Sequence, residues 1–180
     1  MSKFIALLRG INVSGQKQIK MPDLKSLFEE SGFQNIETYI QSGNVIFTSK
    51  EKLPEKLEQK ISLAIKRKFG FDVQIIVLTP EEIEYVLNNN PFLKKKKDTE
   101  KLYVTFLSEN PSADNIKKLK DVDYSPEEYF IDGRFIYLFE PNGYGKAKLN
   151  NNFFENKLKV FGTTRNWKTV NKLFELSKSN

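Results

Sequence analysis

The chain has 180 residues, 39% of them hydrophobic and 13% aromatic, which is enough for one large packed domain or two small ones. It contains no histidine and no cysteine, which excludes histidine-based and thiolate catalysis, haem attachment and nearly all zinc sites. Any catalysis must therefore use Asp, Glu, Lys, Tyr or Arg. The net charge of +6 favours an acidic partner such as nucleic acid or a phosphorylated ligand.

The apolar segments of the sequence indicate a cytoplasmic protein. The first apolar run, Phe4 to Leu8, is shorter than the core of a signal peptide and is followed by Arg9. No later run reaches transmembrane length. The absence of cysteine fits a reducing compartment. We therefore expect no membrane contact.

Hydrophobic periodicity predicts the elements of the first half in chain order. These are a strand over 3–9, a helix from Met21 that Gly32 ends, strands near 35–41 and 44–49 joined at Ser42-Gly43, a helix over 53–70, and a strand over 71–78. A short helix then begins at Thr79 with a capping box, in which Thr79 and Glu82 bond each other's backbone N–H groups.

The second half repeats this order of elements. The prediction is a strand over 101–107, a helix over 112–122, strands over 127–132 and 134–140 joined at Asp132-Gly133, a helix over 151–159, an extended piece over 160–163 and a last helix from Asn166. The strand over 134–140 is apolar on both faces, which indicates packing against a further layer. Stacking of RNA bases on its aromatic residues is the alternative.

The repeated order βαββαβ defines the predicted fold class. We expect an α+β protein of two tandem ferredoxin-like units, which are α/β plaits with antiparallel sheets, plus a C-terminal helix. The predicted boundaries are 1–88 for the first plait, 89–100 for a Lys-rich linker that contains four consecutive lysines, and 101–180 for the second plait with the C-terminal helix.

The topology of the first plait predicts an anion-binding edge. The end of the first strand, the start of the first helix and the hairpin between strands two and three all lie at one edge of such a sheet. The polar side chains expected to converge there are Arg9, Asn12, Lys17, Lys20, Gln41, Ser42 and Asn44. The helix N-terminus would add to the positive field. The alternative is that the loop residues only shape turns and cap backbone groups.

A second polar edge is expected in the second plait. Tyr144 and Lys146 follow its third strand, and Arg165 follows the fourth strand beside the start of the last helix. Since both strands point the same way, these residues are predicted to form another part of an anion site. The glycine-lysine loop lacks the spacing of a phosphate-binding P-loop. Trp167 is expected to pack in the core.

Paired carboxylates are a common sign of metal or acid–base chemistry. They occur at Glu29-Glu30, Glu81-Glu82 and Glu127-Glu128, all expected on solvated faces and outside the candidate loops. Magnesium prefers carboxylates close to a bound phosphate. The sequence therefore predicts no metal site, and nothing in it calls for a cofactor.

Three segments carry a resemblance to a known family. They read LLRGINV at 7–13, YIQSGNV at 39–45 and TTRNWKTV at 163–170. They are similar to the bacterial domain-of-unknown-function family 1697, and the resemblance spans nearly the whole chain. It implies a pair of ferredoxin-like plaits and no particular activity. Ser14 stands where the family often has a second glycine and Ala147 where serine is common, which weakens a phosphate-loop interpretation.

Three classes of function stay open at the level of sequence. The first hypothesis is a binding protein for a phosphorylated or otherwise anionic ligand, either a nucleotide or nucleic acid. The second is a transferase or hydrolase of a phosphorylated small molecule, in which Lys or Arg stabilises developing charge and Tyr39 or Tyr144 moves protons. The third is a protein-interaction module whose sheet edge or apolar face takes a partner, including a second copy.

Overall fold

A computed structural model describes residues 1–120 and 122–179 and shows an α+β protein with two four-stranded antiparallel sheets. The first half contains β1 (Ser2–Leu8), α1 (Met21–Glu30), β2 (Gln34–Tyr39), β3 (Asn44–Ser49), α2 (Pro54–Phe69), β4 (Ile75–Leu78) and α3 (Pro80–Asn89). The second half contains α4 (Pro91–Lys94), β5 (Leu102–Leu107), α5 (Ala113–Lys117), β6 (Glu128–Asp132), β7 (Phe135–Phe139), α6 (Asn151–Leu158), β8 (Gly162–Asn166) and α7 (Trp167–Lys178). The predicted α+β class with antiparallel sheets is confirmed.

The first sheet has the strand order β2-β3-β1-β4, with β1 in an interior position. Antiparallel pairing sets Leu7 of β1 opposite Asn44 of β3 and Leu8 opposite Ile75 of β4. Alternate residues of β1 point to opposite faces. Phe4, Ala6 and Leu8 join one core cluster with the apolar stripes of both covering helices, which consist of Leu24, Leu27 and Phe28 of α1 and Leu57, Ile61 and Ile65 of α2.

The predicted helix boundaries in the first half follow from local chemistry. Pro54 occupies the first turn of α2, where its missing N–H costs nothing. Gly70 ends α2 in the left-handed conformation with φ 83°, and its N–H donates to the Lys66 carbonyl. The predicted capping box of α3 is confirmed, since Thr79 N lies 3.0 Å from Glu82 Oε2 and Glu82 N lies 3.3 Å from Thr79 Oγ1.

The second sheet has the order β6-β7-β5-β8. Its hairpin sets Asp132 opposite Phe135, which confirms the turn expected at Asp132-Gly133. One face packs Ile136 and Leu138 against Phe154 and Leu158 of α6. On the other face of β7, Tyr137 is fully buried. Burial of this ring fits packing against a further layer better than stacking of RNA bases.

Three predicted elements differ from the structure. Strand β4 begins at Ile75 rather than at residue 71. Strand β8 covers Gly162–Asn166 rather than residues 160–163, so Arg165 lies within the strand and not after it. Helix α5 covers Ala113–Lys117, because the backbone then passes into turns that join Ile116 to Leu119 and Lys117 to Lys120. The predicted end of that helix includes Asp121, which lies outside the described residues.

The segment predicted as a Lys-rich linker contains ordered structure. Its lysines begin at the last residue of α4, and Asn90 caps the start of this helix through a bond from Phe92 N. Lys95 Nζ then lies 3.0 Å from a carboxylate oxygen of Glu128 in β6. A 3₁₀ turn at Thr99–Lys101 leads into β5.

The described residues form two compact units. One consists of Met1–Glu84 together with the end of the chain from Lys172, and the other of Tyr85–Asn171. Within the first unit, Lys3 Nζ donates to the Ser179 carbonyl and Lys178 Nζ lies 3.3 Å from Glu84 Oε2. The last turns of α7 therefore belong to the first unit, although they follow the second in sequence.

Among the helices of the described residues, none is both long enough and apolar enough to cross a membrane.

Gly43 provides a test of the packing between the β2–β3 hairpin and β1. Its φ is +79°, and a Cβ there would lie 2.6 Å from Ile11 Cδ1 and 2.9 Å from Leu8 Cβ. We expect Gly43→Ala to lower the free energy of unfolding by about 2–4 kcal/mol in urea denaturation, because it adds overlap to backbone strain.

Gly10→Ala is the matched control for this substitution. Gly10 also has a left-handed φ, +69°, but no atom of the described residues would lie within 4 Å of a Cβ at that position. It should cost only the backbone strain, about 1–2 kcal/mol. Equal losses for the two variants would contradict a close approach at Gly43.

Candidate functional site

The first unit brings the loop after β1 and the β2–β3 hairpin together at one end of its sheet. We call residues 9–20 and 40–43 the first loop edge. Leu8 N donates to the Gly43 carbonyl at 2.9 Å, so the hairpin lies directly beside the end of β1. The predicted convergence of these two segments is confirmed.

The side chain of Asn12 joins the two parts of the first loop edge. Its Nδ2 donates to the Gln41 carbonyl at 2.8 Å and to the Ile19 carbonyl at 2.9 Å. Its Oδ1 accepts from Ile19 N at 2.8 Å. The carboxamide is thus used within the protein, and Asn12 supports the edge by positioning its backbone.

An open surface depression of about 470 Å³ lies at this edge. Its lining combines loop, hairpin and helix residues, namely Asn12, Gly15, Gln18, Ile19, Lys20, Asp23, Gln41 and Phe69. Lys20 is the residue at the N-terminus of α1, and no side chain in the described part of the chain caps that helix start. The positive end of α1 and the exposed Lys20 ammonium therefore share one wall with the Asp23 carboxylate.

The remaining residues predicted at this edge lie outside the lining of the depression. Lys17 Nζ donates to the Asp72 carbonyl at 2.7 Å. Asn44 is buried and its Nδ2 donates to the Tyr39 carbonyl at 2.9 Å and to Ser42 Oγ at 3.1 Å. Arg9 is half-buried, and its backbone N donates to the Gln74 carbonyl at 2.9 Å. These contacts shape the turns around the depression.

Five lining residues were not predicted from the sequence: Gly15, Gln18, Ile19, Asp23 and Phe69. Phe69 had a usable signal, because β4 runs antiparallel to β1 and must begin where β1 ends. The C-terminal end of α2, which precedes β4, therefore also lies at this edge. Asp23 had a similar signal, because it lies in the first turn of α1 and the start of this helix was predicted at the same edge. Gln18 had none, since the path of the loop backbone decides which loop side chains face outward.

The backbone of the first loop edge adopts several strained conformations. Asn12, Ser14 and Lys17 have φ between 46° and 55°, a region that residues other than glycine seldom adopt. Ile40 has φ 51°, although it is β-branched and 46% exposed. Such strain persists only where the surrounding contacts fix the backbone, and it is frequent at functional sites.

The second unit forms the other predicted edge around the hydroxyl of Tyr144. Tyr144 Oη donates to Thr164 Oγ1 at 3.0 Å and accepts from Asn151 N at 3.0 Å. Thr164 Oγ1 in turn lies 2.7 Å from Asn151 Oδ1 and 2.6 Å from Thr105 Oγ1. The loop after β7 and strand β8 therefore meet as predicted, in a closed network of polar groups.

Arg165 and Lys146 occupy different environments in this unit. Arg165 lies within β8 and is only 6% exposed, and its Nη1 donates to Thr163 Oγ1 at 2.7 Å and to the Thr164 carbonyl at 2.9 Å. Lys146 is exposed in a 3₁₀ turn at Tyr144–Lys146. The Arg165 guanidinium thus binds its own strand. Trp167 is buried, as expected for a core residue.

Glu127 was predicted on a solvated face, and this prediction is wrong. The residue is only 9% exposed, and its carboxylate accepts from Lys148 N at 3.0 Å and from Leu149 N at 2.9 Å. It therefore binds the segment that follows the Tyr144 loop. The sequence shows a carboxylate pair at 127–128, whereas the structure pairs Glu127 with Glu140.

Glu140 is almost fully buried, with 1% of its surface exposed. Burial first, and then the charge and hydrogen bonding of Glu127, raise the pKa of Glu140 to about 8. The sequence alone does not show that these two residues are neighbours. They are brought together by the pairing of β6 with β7, which sets Glu128 opposite Phe139. The unit therefore holds two carboxyl groups that share a buried site.

The two sheets and their polar loop edges define the class of this molecule as an α+β protein with clustered loops at the ends of its strands. The chain belongs to the family described as protein of unknown function (DUF1697), whose sequence profile matches residues 1–137. The resemblance to this family is thereby confirmed, and the segments at 7–13 and 39–45 lie within the matched range.

A similar fold occurs in the conserved bacterial protein SP0830 from Streptococcus pneumoniae. The TM-score is 0.78 at 24% sequence identity, over 98% of this chain and 99% of that one. At this identity the likeness is one of fold alone. A comparison with curated proteins found no match.

The raised pKa of Glu140 predicts a particular pH dependence of stability. In the unfolded chain this carboxyl titrates near its ordinary value of 4.5, and in the folded protein near 8. The protonated Glu140 carboxyl therefore contributes its full stabilisation below about pH 4.5. As the pH rises towards 8, the free energy of unfolding decreases by up to about 1.4 kcal/mol per pH unit.

Glu140→Gln isolates this contribution because glutamine cannot lose the proton. We expect the variant to gain stability over the wild type as pH rises, with the difference levelling off above about pH 8. Urea denaturation of both proteins at about pH 5, 7 and 9 measures it. A difference that does not change with pH would show that Glu140 titrates in the ordinary range.

Proposed function

We propose that this chain is a cytoplasmic binding protein for a phosphorylated or otherwise anionic ligand, and that its two units are tandem ferredoxin-like plaits. The strand orders β2-β3-β1-β4 and β6-β7-β5-β8, each with a helix between its first two strands in sequence, support the assignment of both units. The ligand class is a nucleotide or a nucleic acid segment.

The main support for this proposal is the depression at the first loop edge. Lys20 and the uncapped positive end of α1 supply positive charge, and Gln18 and Gln41 supply hydrogen-bonding groups on the same lining. Phe69 adds an apolar surface. A phosphate at the helix end with an organic part over the remaining lining suits this combination.

Asp23 provides a control for the position of the bound anion. Its carboxylate stands in the first turn of α1 and lines the same depression, so it opposes the binding of an anion there. The affinity for an anion bound here must therefore fall when the Lys20 charge is removed and rise when the Asp23 charge is removed. A ligand elsewhere on the basic surface would respond weakly to both.

The first experiment is a thermal-shift screen of the pure protein against nucleotides, phosphorylated metabolites and short RNA and DNA oligomers, at low and moderate salt. We expect a selective rise in melting temperature with one class of anion. A response to oligomers that falls steeply with salt would favour nucleic acid over a small nucleotide. A flat panel would contradict the proposal and favour an interaction module.

Variants then locate the site for whichever anion gives a shift. We expect Lys20→Gln to weaken its affinity about 10-fold or more, the usual loss for a charged hydrogen bond, and Asp23→Asn to strengthen it about 2- to 5-fold. Isothermal titration calorimetry measures both.

Lys25→Gln is the matched control for Lys20→Gln. Lys25 is an exposed lysine of the same helix and lies outside the lining of the depression. Its loss removes an equal charge and should change the affinity less than about 2-fold. Equal effects of the Lys20 and Lys25 substitutions would place the anion elsewhere.

A further inference from the structure

The buried carboxyl pair of the second unit joins its sheet to the loop that carries Tyr144 and Lys146. Glu140 directly follows β7, and its backbone N donates to the Lys101 carbonyl at 2.8 Å. Its own carbonyl accepts from Gly143 N at 3.0 Å. Glu140 is therefore fixed to the sheet at the point where the chain leaves it. We call residues 141–149 the exit loop.

Glu127 holds the other end of the exit loop. Both of its carboxylate oxygens lie 3.0 Å from Lys148 N, and Oε2 also accepts from Leu149 N at 2.9 Å. Burial and the neighbouring Glu127 raise the pKa of Glu140, so the proton of the pair resides on Glu140, which donates to Glu127.

The remaining surroundings offer Glu140 little compensation for a negative charge. One of its oxygens, Oε1, is buried without a hydrogen-bond partner among the described residues. An uncompensated charge in such a place is costly. A neutral Glu140 avoids this cost, while an ionised Glu140 would face the ionised Glu127 across the same buried space.

Charged groups on the neighbouring elements are engaged elsewhere or face outward. Lys95 and Lys97, after α4, pair with Glu128 of β6 at 3.0 Å and 2.5 Å. Lys101, before β5, contacts Glu140 through its backbone carbonyl. Lys146 and Lys148 of the exit loop are exposed. The hydroxyl of Tyr144 bonds Thr164. Burial and Glu127 thus dominate the environment of the Glu140 carboxyl.

We propose that Glu127 and Glu140 form a proton-dependent latch, which holds the exit loop on the sheet while the pair shares one proton and releases it when that proton is lost. Loss of the proton leaves two carboxylates side by side. Their repulsion is relieved when one of them reaches water, and Glu127 can do so only by giving up Lys148 N and Leu149 N. The loop that carries Tyr144 and Lys146 then loses its attachment at residues 148–149.

This proposal does not rest on the anion site of the first unit, and it is tested by a local readout. Solvent-exchange rates of the Lys148 and Leu149 amides are measured by NMR magnetisation transfer between about pH 6.5 and 9.5 and divided by the rates of an unstructured peptide. We expect protection of both amides to fall up to about 10-fold per pH unit above about pH 8, while the Val104 amide in β5 stays protected.

Two variants separate the latch from general loosening of the unit. Glu140→Gln keeps a donor for Glu127 but has no proton to lose, so the two amides should stay protected across the whole range. Glu128→Gln is the matched control, because it removes the neighbouring carboxylate that pairs with Lys95 and should leave the pH dependence unchanged. Protection that falls equally in the wild type and in Glu140→Gln would overturn the proposal.

A second measurement decides the matter if Glu140→Gln does not fold. Carbon-13 NMR of the wild-type side chains follows the Glu140 carboxyl directly. The latch requires this carboxyl and the Lys148 amide to titrate together near pH 8. Titration of Glu140 in the ordinary range of a glutamate, with no change at Lys148, would overturn it.

Discussion

The carboxamide of Asn12 is the contact on which the first loop edge depends. Its bonds to both backbone groups of Ile19 and to the Gln41 carbonyl tie a loop to a hairpin about thirty residues away in sequence. Since Lys20 directly follows Ile19, the same contact fixes where α1 begins. The contact thus helps to place Gln41 and the positive end of the helix in the lining of one depression.

The order of elements along the chain and several helix ends were predictable because they depend on short-range rules. Alternating apolar residues, Gly70 after α2 and the Thr79–Glu82 capping box each act within one or two turns of chain. The meeting of loop and hairpin at one sheet edge also followed, since β1 and β3 must pair antiparallel in this order. These features need no knowledge of individual side-chain directions.

The roles of single polar residues were harder to predict. Arg165 and Lys17 carry positive charges suited to binding an anion. In the structure, however, Arg165 bonds its own strand and Lys17 donates to the Asp72 carbonyl, shortly before β4. Glu127 looked like one of many exposed glutamates, and only the β6–β7 register brings it beside Glu140. Whether a charged group faces solvent or the protein depends on angles that composition and periodicity do not contain.

The division of α7 between the two units has a consequence for how the chain folds as it is made. The ribosome releases residues 1–84 first, but the turns of α7 that bind Lys3 and Glu84 are synthesised after the whole of the second unit. The first unit therefore lacks these contacts until the second unit has been synthesised, while the second unit can already fold. Synthesis order and completion order are thus reversed in this protein.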